Sequence, residues 1–166
     1  AKLATADNAD AGILYSVSSN NLTINSGIEL HVKSSKTYDP GGTVTTQGSA
    51  NMHVDDSAVA YLDTATNTIA GDLLVDGGAT LNIDTDTTVT GGDITTSGAS
   101  AVVTKSAGTP TVTLGSTGAL GGGTTPTLTF YNLTQNGGTT TVNSDTSVTS
   151  TLTVNTGTTV SLASSK

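Results

Sequence analysis

Three eleven-residue segments of this chain superimpose without a gap: LTINSGIELHV (Leu22 to Val32), LLVDGGATLNI (Leu73 to Ile83) and LTVNTGTTVSL (Leu152 to Leu162). Each carries aliphatic residues at positions 1, 3, 9 and 11 and glycine at position 6, so Gly27, Gly78 and Gly157 share one place. Alternation of apolar and polar residues is the period of a half-buried strand. A residue without a Cβ at the centre admits the positive φ of a tight turn. The unit reads as strand, turn, strand.

A second motif follows the first. GGTVTTQGSANMHV (Gly41 to Val54) matches GGDITTSGASAVVT (Gly91 to Thr104), with Val44 and Ile94 corresponding. Residues 22–54 are thus duplicated as 73–104, and a weaker third copy spans 133–162. Submotifs recur about every 20 residues, the scale on which one repeat cannot bury its apolar side and stacking must supply the core. The expected fold is therefore all-β, a β-solenoid resembling a parallel β-helix with coils of about 20 residues, seven or eight in number. The competing architecture is an antiparallel jelly roll or β-sandwich with a donated strand, which short strands and turn signals also fit. Asp76-Gly77 and Asn136-Gly137, both good hairpin dipeptides, favour that alternative.

On this reading residues 22–166 form one repetitive β domain, and residues 1–21, which lack the repeat, form an N-terminal arm or cap. The stretches Asp55 to Asp72 and Lys105 to Asn132 are less regular. The second, with Gly121 to Gly123 and Pro126, reads as an inserted loop or a seam.

Composition narrows the function. Leu, Ile, Val and Phe make up about 35 residues, close to the share of roughly 20% below which a charged chain stays disordered. Order therefore rests on the alternating arrangement. Threonine is about a fifth of the chain, only 11% of residues are charged, and 13 acidic residues face 5 basic ones, all lysine. A phosphate-binding surface needs positive charge, so nucleic acid is excluded as a partner. No apolar run approaches the roughly 18 residues of a membrane span.

LTFYNLTQNGGTTTVNSDTSVTSTLTVNTG (Leu128 to Gly157) resembles the Gly/Thr/Asn-rich β-solenoid repeats of microbial surface proteins, adhesins and phage fibres. The resemblance implies a rod, surface coat, adhesion module or assembly unit. A solenoid also exposes unpaired strand edges at its ends, which another chain can pair. The expected function is a self-assembling structural subunit of an extracellular filament or cell-surface layer. Its partner would be further copies of the chain, joined through residues 1–20. The alternative is a phage fibre, decoration or adhesin module on a virion surface, binding a receptor or glycan.

Catalysis is not expected. His31 and His53 fall on outward positions with no nucleophile pattern beside them. Asp55, Asp56, Asp84 and Asp86 neighbour Thr, Gly and Asn in turn-like stretches where carboxylates cap local N–H groups. Glycine pairs lack the Lys-Ser/Thr of a phosphate loop. No cofactor is expected beyond calcium, for which Asp84, Asp86 and Asp93 are the candidate ligands, since several oxygens must converge on such an ion. Asn21 and Asn132 open N-x-Thr sequons and are the glycosylation candidates. T-x-T arrays such as Thr64 to Thr68 and Thr149 to Thr153 look broken and offset along the chain, which argues against a flat ice-binding face.

Overall fold

The structure, a computed structural model, describes residues 2–5, 13–14 and 21–163, with side chains from residue 21 onward. Every described strand pairing is parallel, which gives an evenly spaced, slanted ladder of hydrogen bonds running between coils, and the described residues contain no helix. The fold is a β-solenoid of about seven coils of roughly 21 residues. The antiparallel sandwich is overturned, and Asp76-Gly77 and Asn136-Gly137 turn corners between faces rather than closing hairpins.

Strands β1 (Lys2–Thr5) and β2 (Ile13–Leu14) precede the first full coil, which holds β3 (Leu22–Ile24), β4 (Glu29–Val32) and β5 (Thr37–Tyr38). The next three coils repeat the set: β6 (Val44–Thr46), β7 (Met52–Val54) and β8 (Val59–Leu62); β9 (Asn67–Ile69), β10 (Leu73–Val75) and β11 (Thr80–Ile83); β12 (Thr87–Val89), β13 (Ile94–Thr96) and β14 (Val102–Thr104). The remainder contains β15 (Thr111–Leu114), β16 (Gly118–Leu120), β17 (Thr127–Gln135), β18 (Thr139–Val142), β19 (Thr146–Val154) and β20 (Thr159–Leu162).

Each coil therefore has three sides. Face A stacks β3, β6, β9, β12, β15 and the second halves of β17 and β19; face B stacks β4, β7, β10, β13, β16, β18 and β20. Face C stacks β5, β8, β11, β14 and the first halves of β17 and β19. Faces A and C merge into one sheet because β17 runs through the corner, with a register break between Phe130 and Asn132. The expected N-terminal arm falls mostly outside the described residues. Within it, β1 pairs with β4 and β2 with β1, both parallel, so these strands continue face B.

The core is a set of side-chain columns. On face B, Leu30, Met52, Leu73, Ile94, Leu120 and Val142 lie one above another and are buried. Face C stacks Tyr38, Ala60, Leu81, Val103 and Leu128. Successive rungs sit about 4.8 Å apart, so branched aliphatics pack against their own kind, and each fully buried one contributes about 1.5–3 kcal/mol.

The eleven-residue motif describes a corner, not a coil. Its first copy runs from face A to face B, its second from face B to face C, and its third from A to B again. In all three, the central glycine has positive φ, 79°, 69° and 81° at Gly27, Gly78 and Gly157. Residues 55–72 and 105–132, expected to be irregular, contribute regular rungs: β8, β9, β15 and β16 all keep their parallel partners. What looked like a seam is a longer corner at 105–110. Gly121 to Gly123, all at positive φ, turn the corner between β16 and β17 while Leu128 still pairs with Val103.

One buried polar group repairs a thin place in the ladder. Strands β6 and β9 share a single registered pair, Thr45 with Thr68. The amide of Asn67, fully buried, accepts the Val44 N–H at 2.7 Å through Oδ1 and donates to the Ala65 carbonyl at 2.9 Å.

Leu81→Ala, at mid-stack, is expected to cost about 2–5 kcal/mol as lost transfer energy plus cavity. Leu162→Ala, at a side chain 70% exposed, is expected to change stability by less than about 0.5 kcal/mol. Urea unfolding of both variants checks the contrast.

Candidate functional sites: an open coil end, an acceptor ladder and a histidine–carboxylate cluster

At the last described coil the apolar columns reach solvent. Leu162 continues the face B column beyond Val142, and Leu152 and Val154 extend the face A columns beyond Leu133 and Gln135. Their exposures, 70%, 50% and 46%, contrast with their nearly buried predecessors. Strand β19 pairs with β17 and β20 with β18, and among the described residues neither has a partner on its other side. The terminal rung thus presents both strand edges and apolar side chains.

Along the corner entering face B, polar side chains staple one coil to the next. Asn51 Oδ1 accepts the Asp72 N–H at 2.8 Å, Asp72 Oδ1 accepts the Asp93 N–H at 3.4 Å, and Asp93 Oδ1 accepts the Ala119 N–H. This stacking places like charges one rung apart. Partial burial and then the neighbouring Asp93 charge push the Asp72 carboxyl above its usual range, against the hydrogen bond from the Asp93 N–H.

The proposed calcium ligands are part of the same chemistry. Asp84 Oδ1 accepts the N–H groups of Ser106 and Ala107 at 2.5 and 2.9 Å, and its Oδ2 accepts the Ser106 hydroxyl at 2.5 Å, pinning the long corner at 105–110. Asp86 Oδ1 accepts the Thr111 N–H at 2.8 Å. Asp84 and Asp86 border a shallow groove with Thr109 and Pro110, whereas Asp93 lies at a different corner. The structure does not bring the three aspartates together: among the described residues, none belongs to a grouping of three metal-capable ligand atoms.

The sequons also lie in the stack. Asn21 Oδ1 accepts the Thr43 N–H at 3.1 Å. Asn132 sits within β17, in register between Thr111 and Thr151, its amide 3.4 Å from the Thr111 hydroxyl.

The histidines depart from expectation. His31 and His53 do point away from the core, on adjacent rungs of face B, yet His31 is only 8% exposed. In a parallel stack an outward side chain is walled by its neighbours above, below and at the corner. His31 Nε2 lies 3.0 Å from His53 Nδ1 and 2.7 Å from Asp55 Oδ1. His53 Nδ1 lies 3.4 Å from Glu29 Oε1, and His53 Nε2 lies 2.9 Å from Asp76 Oδ2. The rings tilt at 58° with centroids 4.5 Å apart. Ser97 Oγ donates to Asp76 Oδ1 at 2.5 Å. Partial burial would raise the Asp76 carboxyl, but the hydrogen bonds from Ser97 and His53 and the attraction of both histidines bring it below its usual range. Residues 22 apart in sequence meet here, and the one signal of it was the shared position of His31 and His53 one coil apart.

The threonines also differ from expectation. Thr23, Thr45, Thr68, Thr88, Thr113, Thr134 and Thr153 form one unbroken outward column on face A. Coils differ in length at their corners, so positions that drift along the chain still align on the face.

No family model, curated protein or solved structure matches this chain. No helix of the described residues is long and apolar enough to cross a membrane.

Replacing Asp72 with Asn keeps the acceptor toward Asp93 and removes one charge. A folded-state pKa above the unfolded value means that ionised Asp72 destabilises the native state above its folded pKa. Asp72→Asn is therefore expected to be more stable than the unmodified chain at pH 7. The gain should shrink as the pH falls through the raised pKa of Asp72 and vanish below the ordinary aspartate value of about 3.9, and urea midpoints measured across that range check it.

Proposed function

We propose that this chain is a self-assembling structural subunit of an extracellular filament or cell-surface layer, adding coil end to coil end, and that it is not an enzyme. The observation that carries the reading is the stacking itself, in which the surface of each described rung is made to receive a further parallel coil, as the last described rung shows. There, Leu152, Val154 and Leu162 continue buried columns into solvent beside the open edges of β19 and β20. A further parallel coil is the surface that fits both the spacing of those edges and the apolar columns between them. A second copy can supply one from its opposite end, where β2, β3 and β5 are the outermost described strands. Such a contact joins unlike surfaces and does not close on itself, so it propagates.

Charge acts against assembly at low salt. Each copy carries a net charge of −8, and screening over a Debye length of about 8 Å at physiological ionic strength reduces the repulsion. Light scattering and electron microscopy are expected to show rods whose formation rises with protein concentration and with salt. Leu152→Asp combined with Leu162→Asp should abolish rods while leaving the β circular-dichroism spectrum intact, because neither side chain lies in the buried core. Removing residues 1–20 tests the N-terminal segment as the connector, with loss of assembly the expected result. A chain that stays monomeric at high concentration and salt, yet binds a glycan or receptor, would support the adhesin or fibre module instead.

A second reading rests on the threonine column. Seven hydroxyl–methyl pairs spaced at about 4.8 Å make a regular face suited to docking on an ordered lattice, ice being the simplest. The flanking outward positions, Asn21, Thr43, Thr66, Asp86, Thr111, Asn132 and Thr151, break the threonine pattern at three rungs. Measurement of thermal hysteresis decides it: a freezing gap lost in Thr88→Tyr supports the reading, and no gap in the unmodified chain removes it.

A further inference from the structure

The geometry points to a divalent transition-metal site on face B, formed by Nε2 of His31, Nδ1 of His53 and the carboxylate of Glu29. It stands independently of the assembly reading.

Spacing is the first support. The ligand atoms of Glu29, His31 and His53 all lie within 4.8 Å of one another. The edges between nearest atoms are 3.0 Å from His31 to His53 and 3.4 Å from His53 to Glu29. An ion held at about 2.0–2.2 Å by nitrogen and oxygen ligands separates neighbouring donors by roughly 2.8–3.6 Å at angles between square and tetrahedral. The His31–His53 and His53–Glu29 edges already lie in that range, and the His31–Glu29 edge, within 4.8 Å, closes to it when an ion binds.

Proton supply is the second. His31 Nε2 faces both the His53 nitrogen and the Asp55 oxygen, and it carries at most one proton. His53 directs Nε2 at Asp76, a carboxylate already held by Ser97. With its proton on that nitrogen, His53 presents the lone pair of Nδ1 to the cluster, which is the carboxylate–histidine arrangement that orients a metal-binding imidazole.

The donor set and scaffold are the third. Two imidazoles with carboxylates suit zinc, copper or nickel rather than calcium or magnesium, which take oxygen ligands. The side chains of His31 and Asp55 are 10% and 13% exposed, and the two histidines are fixed opposite each other by the β4–β7 ladder. Because the ligands come from successive coils, the ion would fasten one rung to the next.

Calorimetric titration of zinc chloride into the metal-stripped full chain at neutral pH tests the proposal. One zinc per chain is expected, with a midpoint of thermal unfolding that rises with zinc concentration. His53→Gln and Glu29→Gln should each weaken binding at least tenfold. Asp76→Asn, which alters only the support of His53, should weaken it about 10- to 100-fold, and Asp84→Asn should leave it unchanged. Cobalt in place of zinc should give the visible absorption of a low-symmetry nitrogen and oxygen site, a readout on the unmodified chain should either ligand variant misfold. Absence of saturable zinc binding, or binding unchanged in His53→Gln and Glu29→Gln, would overturn the proposal and leave the cluster a hydrogen-bonded network without an ion.

Discussion

The parallel backbone ladder between coils is the constraint on which everything else in the molecule depends. It holds each residue directly beneath its counterpart on the next rung, so any property of one side chain is repeated, opposed or completed by its neighbour about 4.8 Å away. Apolar residues repeated in this way make the core columns. Threonine repeated on an outward position makes the seven-rung column of face A. Carboxylates repeated at the corner make the Asn51–Asp72–Asp93 staple, together with its internal repulsion. Histidine repeated once makes the His31–His53 pair.

Corners absorb irregularity so that faces need not. The long corner at 105–110 sits between β14 and β15, both of which keep their registered partners, and Asp84 holds it down with three hydrogen bonds. Where the ladder itself thins, between β6 and β9, the buried Asn67 supplies the missing acceptor. A side-chain amide is the economical repair, since it offers an acceptor and a donor in one rigid plane and leaves the Val44 N–H satisfied in a place water does not reach.

Much of the architecture was legible in the chain. Alternation around Gly27, Gly78 and Gly157 gave strand, corner and strand directly, and the spacing near 20 residues implied stacked coils. What stayed hidden was phase. Matching Leu22–Val32 to Leu73–Ile83 compares corners on different sides of the rod, because the local chemistry of a corner is the same wherever it occurs and carries no mark of which face follows. For the same reason the threonine arrays looked offset, although the register aligns Thr68, Thr88 and Thr113. Residues that act across coils were the hardest to place. The sequence shows His31, Asp55 and Asp76 as three separate residues, and only the stack makes them neighbours. The aspartates chosen as calcium ligands were close in sequence, but adjacency along a strand and its corner directs alternate side chains to different places.

The corner motif repeats with a step that is not a whole number of coils, and this has an evolutionary consequence. Copying a segment such as residues 22–54 into 73–104 does not lay the new copy beneath the old one. It turns the copied surface to the next side of the rod. Growth of such a protein by tandem duplication therefore winds an inherited surface feature around the axis, so that a rod lengthened in this way comes to show related chemistry in several directions. A single-sided array like the threonine column then has to be held in line by selection on corner length, one coil at a time.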